Sequence, residues 1–283
     1  MSFLVVAKKE FSDSVRSNVL IGLMVLFVLF AGGFTYLFSQ APGILGGGGA
    51  TASTPALITA MGTAAGLLVP LISLIVGYKS IVGERASGSL DLLLNLPHTR
   101  RDVVLGKLLG RTAVVIVAIL VGFAAAGGIG LVFYDGFAVD AFVLFTLVTI
   151  FVGFVFVAIA IGFSSAVRST TLALAGAIGL YFLFRFIWGT ALEILWAASH
   201  GFDVDVGGTI SDVPAWFRFL SAINPITAYD NAGRAVIDAI PANPMFAQSG
   251  AIYAQEWFGF IVLAFWLLIP LVLGYLRFNS TDL

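Results

Sequence analysis

The 283-residue chain contains no cysteine, two histidines and four methionines. Without thiols it can form neither disulfides nor thiolate metal sites, and it has no cysteine nucleophile. His98 and His200 cannot build a zinc triad, an HExxH pair or a histidine-based catalytic triad, and the scattered methionines offer no soft copper path. Charge is scarce too. Asp, Glu, Lys and Arg make up 10% of the residues, against roughly a quarter in a soluble domain. A formal charge of -1 gives no basic surface for nucleic acid. The Gly46–Gly49 run is followed by no Lys-Ser or Lys-Thr, and Gly106-Lys107 is followed by Leu108, so no phosphate-binding loop is present. No catalytic, cofactor-binding or metal-binding residue is expected.

What is abundant is apolar. Hydrophobic residues reach 60% and mean hydropathy is +1.06, so lipid must serve as part of the solvent. A helix crosses the hydrocarbon core with about 20 mostly apolar residues. Six windows qualify: Val19–Phe38, Ala56–Tyr78, Thr112–Tyr134, Ala141–Ser164, Thr171–Leu192 and Trp257–Leu276. None contains an acid, which excludes an intramembrane aspartyl protease, and none alternates as barrel strands do. The expected fold is an all-α polytopic membrane protein, one transmembrane domain over residues 1–283.

Basic residues are retained on the cytoplasmic side of membrane proteins. With both termini cytoplasmic in the cell membrane, eleven of the fourteen Lys and Arg residues lie inside, six of them between residues 79 and 111. Lys8 and Lys9 ahead of an apolar run, with Ser39-Gln40-Ala41 behind it, resemble a signal peptide. The run of about 20 residues exceeds the roughly 7–15 of a secretory core, so an uncleaved first span is expected. Leu4, Ala7, Phe11 and Val15 recur at helical spacing, which predicts an interfacial helix over Met1–Asn18.

The connection Glu193–Glu256 is too long for a plain turn. Trp216, Phe217, Phe219, Leu220 and Ile223 within it fit an amphipathic helix at the outer interface, and a purely structural cap fits as well. Arg185 is the one charge inside a window. It is read either as a structural side chain snorkelling to the outer surface or as a contact on a translocation path.

Residues 79–111 form a polar connection with a leucine cluster that no span explains. Leu90, Leu93, Leu94 and Pro97 fall at i, i+3, i+4 and i+7, one face of a short helix that Pro97 ends. Thr99 and Asp102 then form a capping-box signature for a helix running into span three. Apolar surface on the watery side of a membrane protein waits for a partner, although the lipid interface would also accept leucines.

Here the sequence resembles the ABC type-2 transporter permeases, whose ATPase is a separate chain. The likeness covers nearly the whole chain. It rests on Glu84-Arg85-Ala86-Ser87-Gly88-Ser89-Leu90, Leu92-Leu93-Leu94, Leu96-Pro97, Arg100-Arg101 and Gly106-Lys107, with Asn224-Pro225 and Gly274-Tyr275-Leu276-Arg277-Phe278 further on. The C-terminal part is most like permeases linked to copper-enzyme maturation. The resemblance implies a coupling helix between spans two and three that docks an ATPase through Glu84, Arg85, Gly88, Leu90, Leu93, Leu94, Pro97, Arg100 and Arg101. It also implies an N-terminal elbow helix, a second permease copy or paralogue, and a lid or re-entrant helix pair before span six. ATP and magnesium would then be bound by the partner subunit. The importer signature E-A-A-x-x-x-G is absent, which favours export. Two other readings stay open: a stand-alone secondary transporter or channel, with Pro70, Pro270 and Arg185 as its thin set of intramembrane features, and a non-transporting membrane scaffold.

Overall fold

The computed structural model describes residues 3–16, 18–45, 52–90, 99–199, 213–238, 240–246 and 249–280. Its main elements are α1 (Phe3–Arg16), α2 (Asn18–Gln40), α3 (Thr54–Gly77), α4 (Val82–Ser87), α5 (Arg100–Phe133), α6 (Val139–Ala166), α7 (Thr170–Ser199), α8 (Ala215–Ala222), α9 (Pro225–Val236) and α10 (Phe258–Asn279). Six of these are long and apolar enough to cross a membrane: α2, α3 with its continuation α4, α5, α6, α7 and α10. Each holds most of one predicted window. Several overrun it, because polar caps rather than the edge of the apolar run set their ends. Thr99 and Asp102 close the predicted capping box, and α5 runs unbroken from there into span three.

The bundle is built around α6. Of its apolar window 67% is buried, against 22% for α7 and α10, and it packs on α3, α5 and α10. In lipid, helices gain little from burying leucine, so close backbone approach through small residues takes over. Gly162 of α6 and Gly274 of α10 meet backbone to backbone, and a Cβ on either would overlap the other helix. This gives the family-like Gly274 a physical reason. Helix α2 lies on α5, with Gly122 against Phe27.

Among the described residues of the two long connections, α4 extends span two and α5 starts at Arg100, as its capping box predicts. Before span six, α8 covers the predicted amphipathic stretch from Trp216 to Leu220. Helix α9 packs against α6 and α10, with Tyr229 and Asn231 buried. At 12 residues it is too short to register as a span, so a window of about 20 passes over it. Two spans also carry a π-helical turn, Val28–Gly32 in α2 and Leu183–Ile187 in α7.

Candidate functional site

At one end of the bundle α1, α4, the start of α5 and the end of α10 come together around buried charge. Gly106 and Gly110, one turn apart on α5, let α1 lie directly on that helix. An added Cβ would stand 2.5 Å from Val6 Cβ at Gly106 and 2.5 Å from Glu10 Cβ at Gly110. The packed face of α1 is therefore Val6, Glu10 and Ser14, while Leu4 and Val15 from the apolar face remain exposed. This brings Glu10 to Lys107, whose side chain is 1% exposed.

Lys107 Nζ donates to Glu10 Oε1 at 2.6 Å and pairs with Glu84 Oε1 of α4 at 2.7 Å. Arg111 Nε stands 3.0 Å from Glu10 Oε2, an ion pair without aligned hydrogen-bond geometry. Burial pushes the Glu10 carboxyl up, but the charges of Lys107 and Arg111 outweigh it and hold it below its ordinary value. Such a cluster is costly to desolvate and stable only when every member is present. It ties three helices at one point.

Next to it, Ser164 of α6 caps the start of α4 by accepting from the backbone N–H groups of Ile81 and Val82 at 3.2 and 3.1 Å. Arg85 donates to the Val167 carbonyl at 2.9 Å and lies over the Phe278 ring at 5.5 Å. Arg100 lies over the same ring at 5.2 Å and donates to the Phe278 carbonyl. Phe278 is thus held by cations from α4 and α5, which explains an aromatic at the end of the last span. Gly88 ends α4 at φ 72°, the left-handed region that favours glycine.

The expected docking residues divide accordingly. Glu84, Arg85 and Arg100 turn inward to partners in the chain, and Leu90 is taken into the core at 1% exposure. Gly88 and Arg101 face outward. Leu93, Leu94 and Pro97 lie outside the described residues.

The other family-like pair, Asn224-Pro225, sits beside the middle of α7. Asn224 donates from Nδ2 to the Phe184 carbonyl at 2.9 Å, inside the π turn, and its Oδ1 accepts from Ile226 N at 2.8 Å to cap α9. Pro225 follows at the first helical position, where its missing N–H costs nothing. Trp188 and Trp266 add bonds to the carbonyls of Leu220 and Ile223, both at 2.9 Å. The α8–α9 corner is therefore clamped between α7 and α10.

The model of the ABC-2 family transporter protein matches residues 4–283, nearly the whole chain. The chain belongs to the ABC-2 transporter family. It is similar to two proteins named probable ABC transporter permease protein NosY. One, from Stutzerimonas stutzeri, is 34% identical over 69% of this chain and 71% of its own length. The other, from Pseudomonas aeruginosa, is 29% identical over 95% of both chains. ABC transporter G family member 20 of Dictyostelium discoideum is 27% identical over 72% of this chain and 24% of its own length.

Within this ABC-2 chain, sequence reading passed over the Glu10–Lys107 pair. The two lie 97 residues apart, and in the sequence Lys107 is one of six basic residues between 79 and 111. One signal was available: the glycines four apart at 106 and 110 flank Lys107 on a helix and mark a close contact. The Arg185 environment, with Asp230 and Arg234 nearby, was equally invisible, because Asp230 lies 45 residues further along the chain.

Proposed function

We propose that the chain is the membrane-spanning permease subunit of an ATP-driven exporter, energised by a separate ATPase that docks on the segment between α4 and α5. The carrying observation is the whole-chain family match in a sequence without a phosphate-binding loop. ATP and magnesium belong to the partner, and two permease copies, or one and a paralogue, enclose the path. Both termini lie on the cytoplasmic side with the docking segment. The buried charges support this reading mechanically. A pull on residues 87–99 reaches Glu84, Arg85 and Arg100, and through Lys107 and Phe278 it reaches α1, α5 and α10. Packed elements of this kind move as bodies, so a small shift at the docking segment tilts spans.

The test is co-reconstitution in lipid vesicles with a candidate ABC ATPase subunit from the same organism. ATP hydrolysis that needs both proteins is the expected result. Substantial turnover by this chain alone would overturn the proposal.

A further inference from the structure

Arg185 is half-buried. It lies on the π turn of α7, about 22 Å from the Thr170 end at 1.5 Å per residue. It lines a cavity of about 720 Å³ between α2, α3 and α7, a size that suits a small organic molecule. Phe30, on the π turn of α2, lines the same cavity. Turns of this kind interrupt the regular ladder and recur at functional sites, and here both meet at one space. A smaller pocket adjoins it, sharing Thr59 and Thr63 and lined by Asp230 and Arg234.

The polar groups there are unbalanced. Asp230 opens onto the space, and both Arg234 and Arg185 act electrostatically on its carboxylate. One acid facing two guanidinium groups leaves an excess positive charge. Arg185 Nε and Arg234 Nη1 are buried with no hydrogen-bond partner among the described residues. Thr59 and Thr63 donate their hydroxyl hydrogens to the Pro55 and Thr59 carbonyls at 2.9 and 3.3 Å. Arg234 donates from Nε to the Pro241 carbonyl at 3.0 Å and Arg185 lies over the Phe186 ring at 5.8 Å, so Arg185 Nε and Arg234 Nη1 remain as the strong donors. Ser53 Oγ accepts from Ala56 N at 3.4 Å, and the rest of the larger cavity's wall is apolar.

We propose that this cavity binds an amphipathic organic anion, its head group held by Arg185 and its apolar body along Phe30, Phe34, Leu67 and Leu68. A guanidinium whose Nε is buried without an acceptor wants a carboxylate, sulfonate or phosphate, while the apolar wall wants a chain or ring system. Only the further step, that the bound molecule is cargo, rests on the permease reading. The head group can come from a membrane lipid or from a free amphiphile.

Dodecyl phosphate is the probe, measured by equilibrium binding to the full chain in phosphatidylcholine nanodiscs. Dodecanol and dodecyltrimethylammonium serve as neutral and cationic controls. The phosphate should bind at least about tenfold tighter than either, and Arg185→Gln should remove that preference while Arg218→Gln keeps it. Thr63→Cys in this cysteine-free chain gives a second readout. Dodecyl phosphate should slow its labelling by an apolar maleimide, and dodecanol at equal concentration should do so less. Competition by phosphatidylglycerol added to the disc would identify a lipid as the source, and lack of competition a free amphiphile. Equal binding of the three probes, or unchanged selectivity and protection in Arg185→Gln, would overturn the site. Selective binding without stimulation of the partner ATPase would keep the site and remove its role as cargo site.

Discussion

The hydroxyls of Thr149 and Tyr229 stand 3.0 Å apart, joining α6 to α9 in the buried interior. Thr149 also bonds the Phe145 carbonyl at 2.8 Å, so each hydroxyl has a partner where water is absent. This single contact places a helix from the connection before span six against the central span of the bundle.

Removing it should be measurable. Tyr229→Phe is expected to lower stability by about 0.5–1.5 kcal/mol, the net worth of one hydrogen bond. Tyr229→Ala should cost about 3–5 kcal/mol through the cavity it leaves. Thermal unfolding in detergent distinguishes the two. Wild-type melting of Tyr229→Ala would mean that α9 does not sit against α6.

The Lys107 cluster predicts a larger effect with a pH signature. Lys107→Met leaves the buried Glu10 and the half-buried Glu84 without their shared cation, at a cost of about 3–5 kcal/mol. The folded state holds the Glu10 carboxyl below its ordinary value of 4.5, so its contribution is complete above pH 4.5. That stability is lost as pH falls through the lower folded value. Melting curves of the wild type should therefore drop more steeply below pH 4.5 than those of Glu10→Gln, which starts less stable and lacks this titration. Parallel curves for the two proteins would remove Glu10 from the cluster's energetics.

Orientation is testable because the chain has no native cysteine. Single cysteines introduced as Ser2→Cys, Ser211→Cys and Ser280→Cys are probed on intact cells with an impermeant thiol reagent. Only Ser211→Cys should react, since eleven of fourteen basic residues then lie inside. Reaction at Ser2→Cys or Ser280→Cys would reverse the topology.

The docking segment is tested by Leu93→Glu and Leu94→Glu. A carboxylate pressed into an apolar groove is penalised by several kcal/mol, and each 1.4 kcal/mol is about tenfold in affinity. Pull-down of the ATPase should fall at least tenfold for either variant, with membrane insertion intact. Leu147→Val, at an exposed position on α6, is the control and should bind normally. Undiminished binding by both Glu variants would place the coupling contact elsewhere.

The sequence by itself determined the six spans, the capping box at Thr99 and the membership that Glu84–Leu90 and Gly274–Phe278 announced. These are local or periodic signals: a span is a run of apolar residues, and a cap is four residues long. The Gly106–Gly110 spacing is local too, since lipid leaves small residues as the main route to close helix contact.

Tertiary structure alone decided which charges are structural and which are available. Glu10 and Lys107 are 97 residues apart in sequence, and Arg100 and Phe278 are 178 apart. No window sees such a pair. Leu90 shows the same limit. It shares a helical face with Leu93 and Leu94 in sequence, yet the core claims it. Helix α9 leaves no span-length signal for a different reason: it is short, and its burial comes from α6 and α10 around it rather than from its own hydropathy. Burial is a property of what surrounds a residue, and those surroundings exist only once the helices have packed.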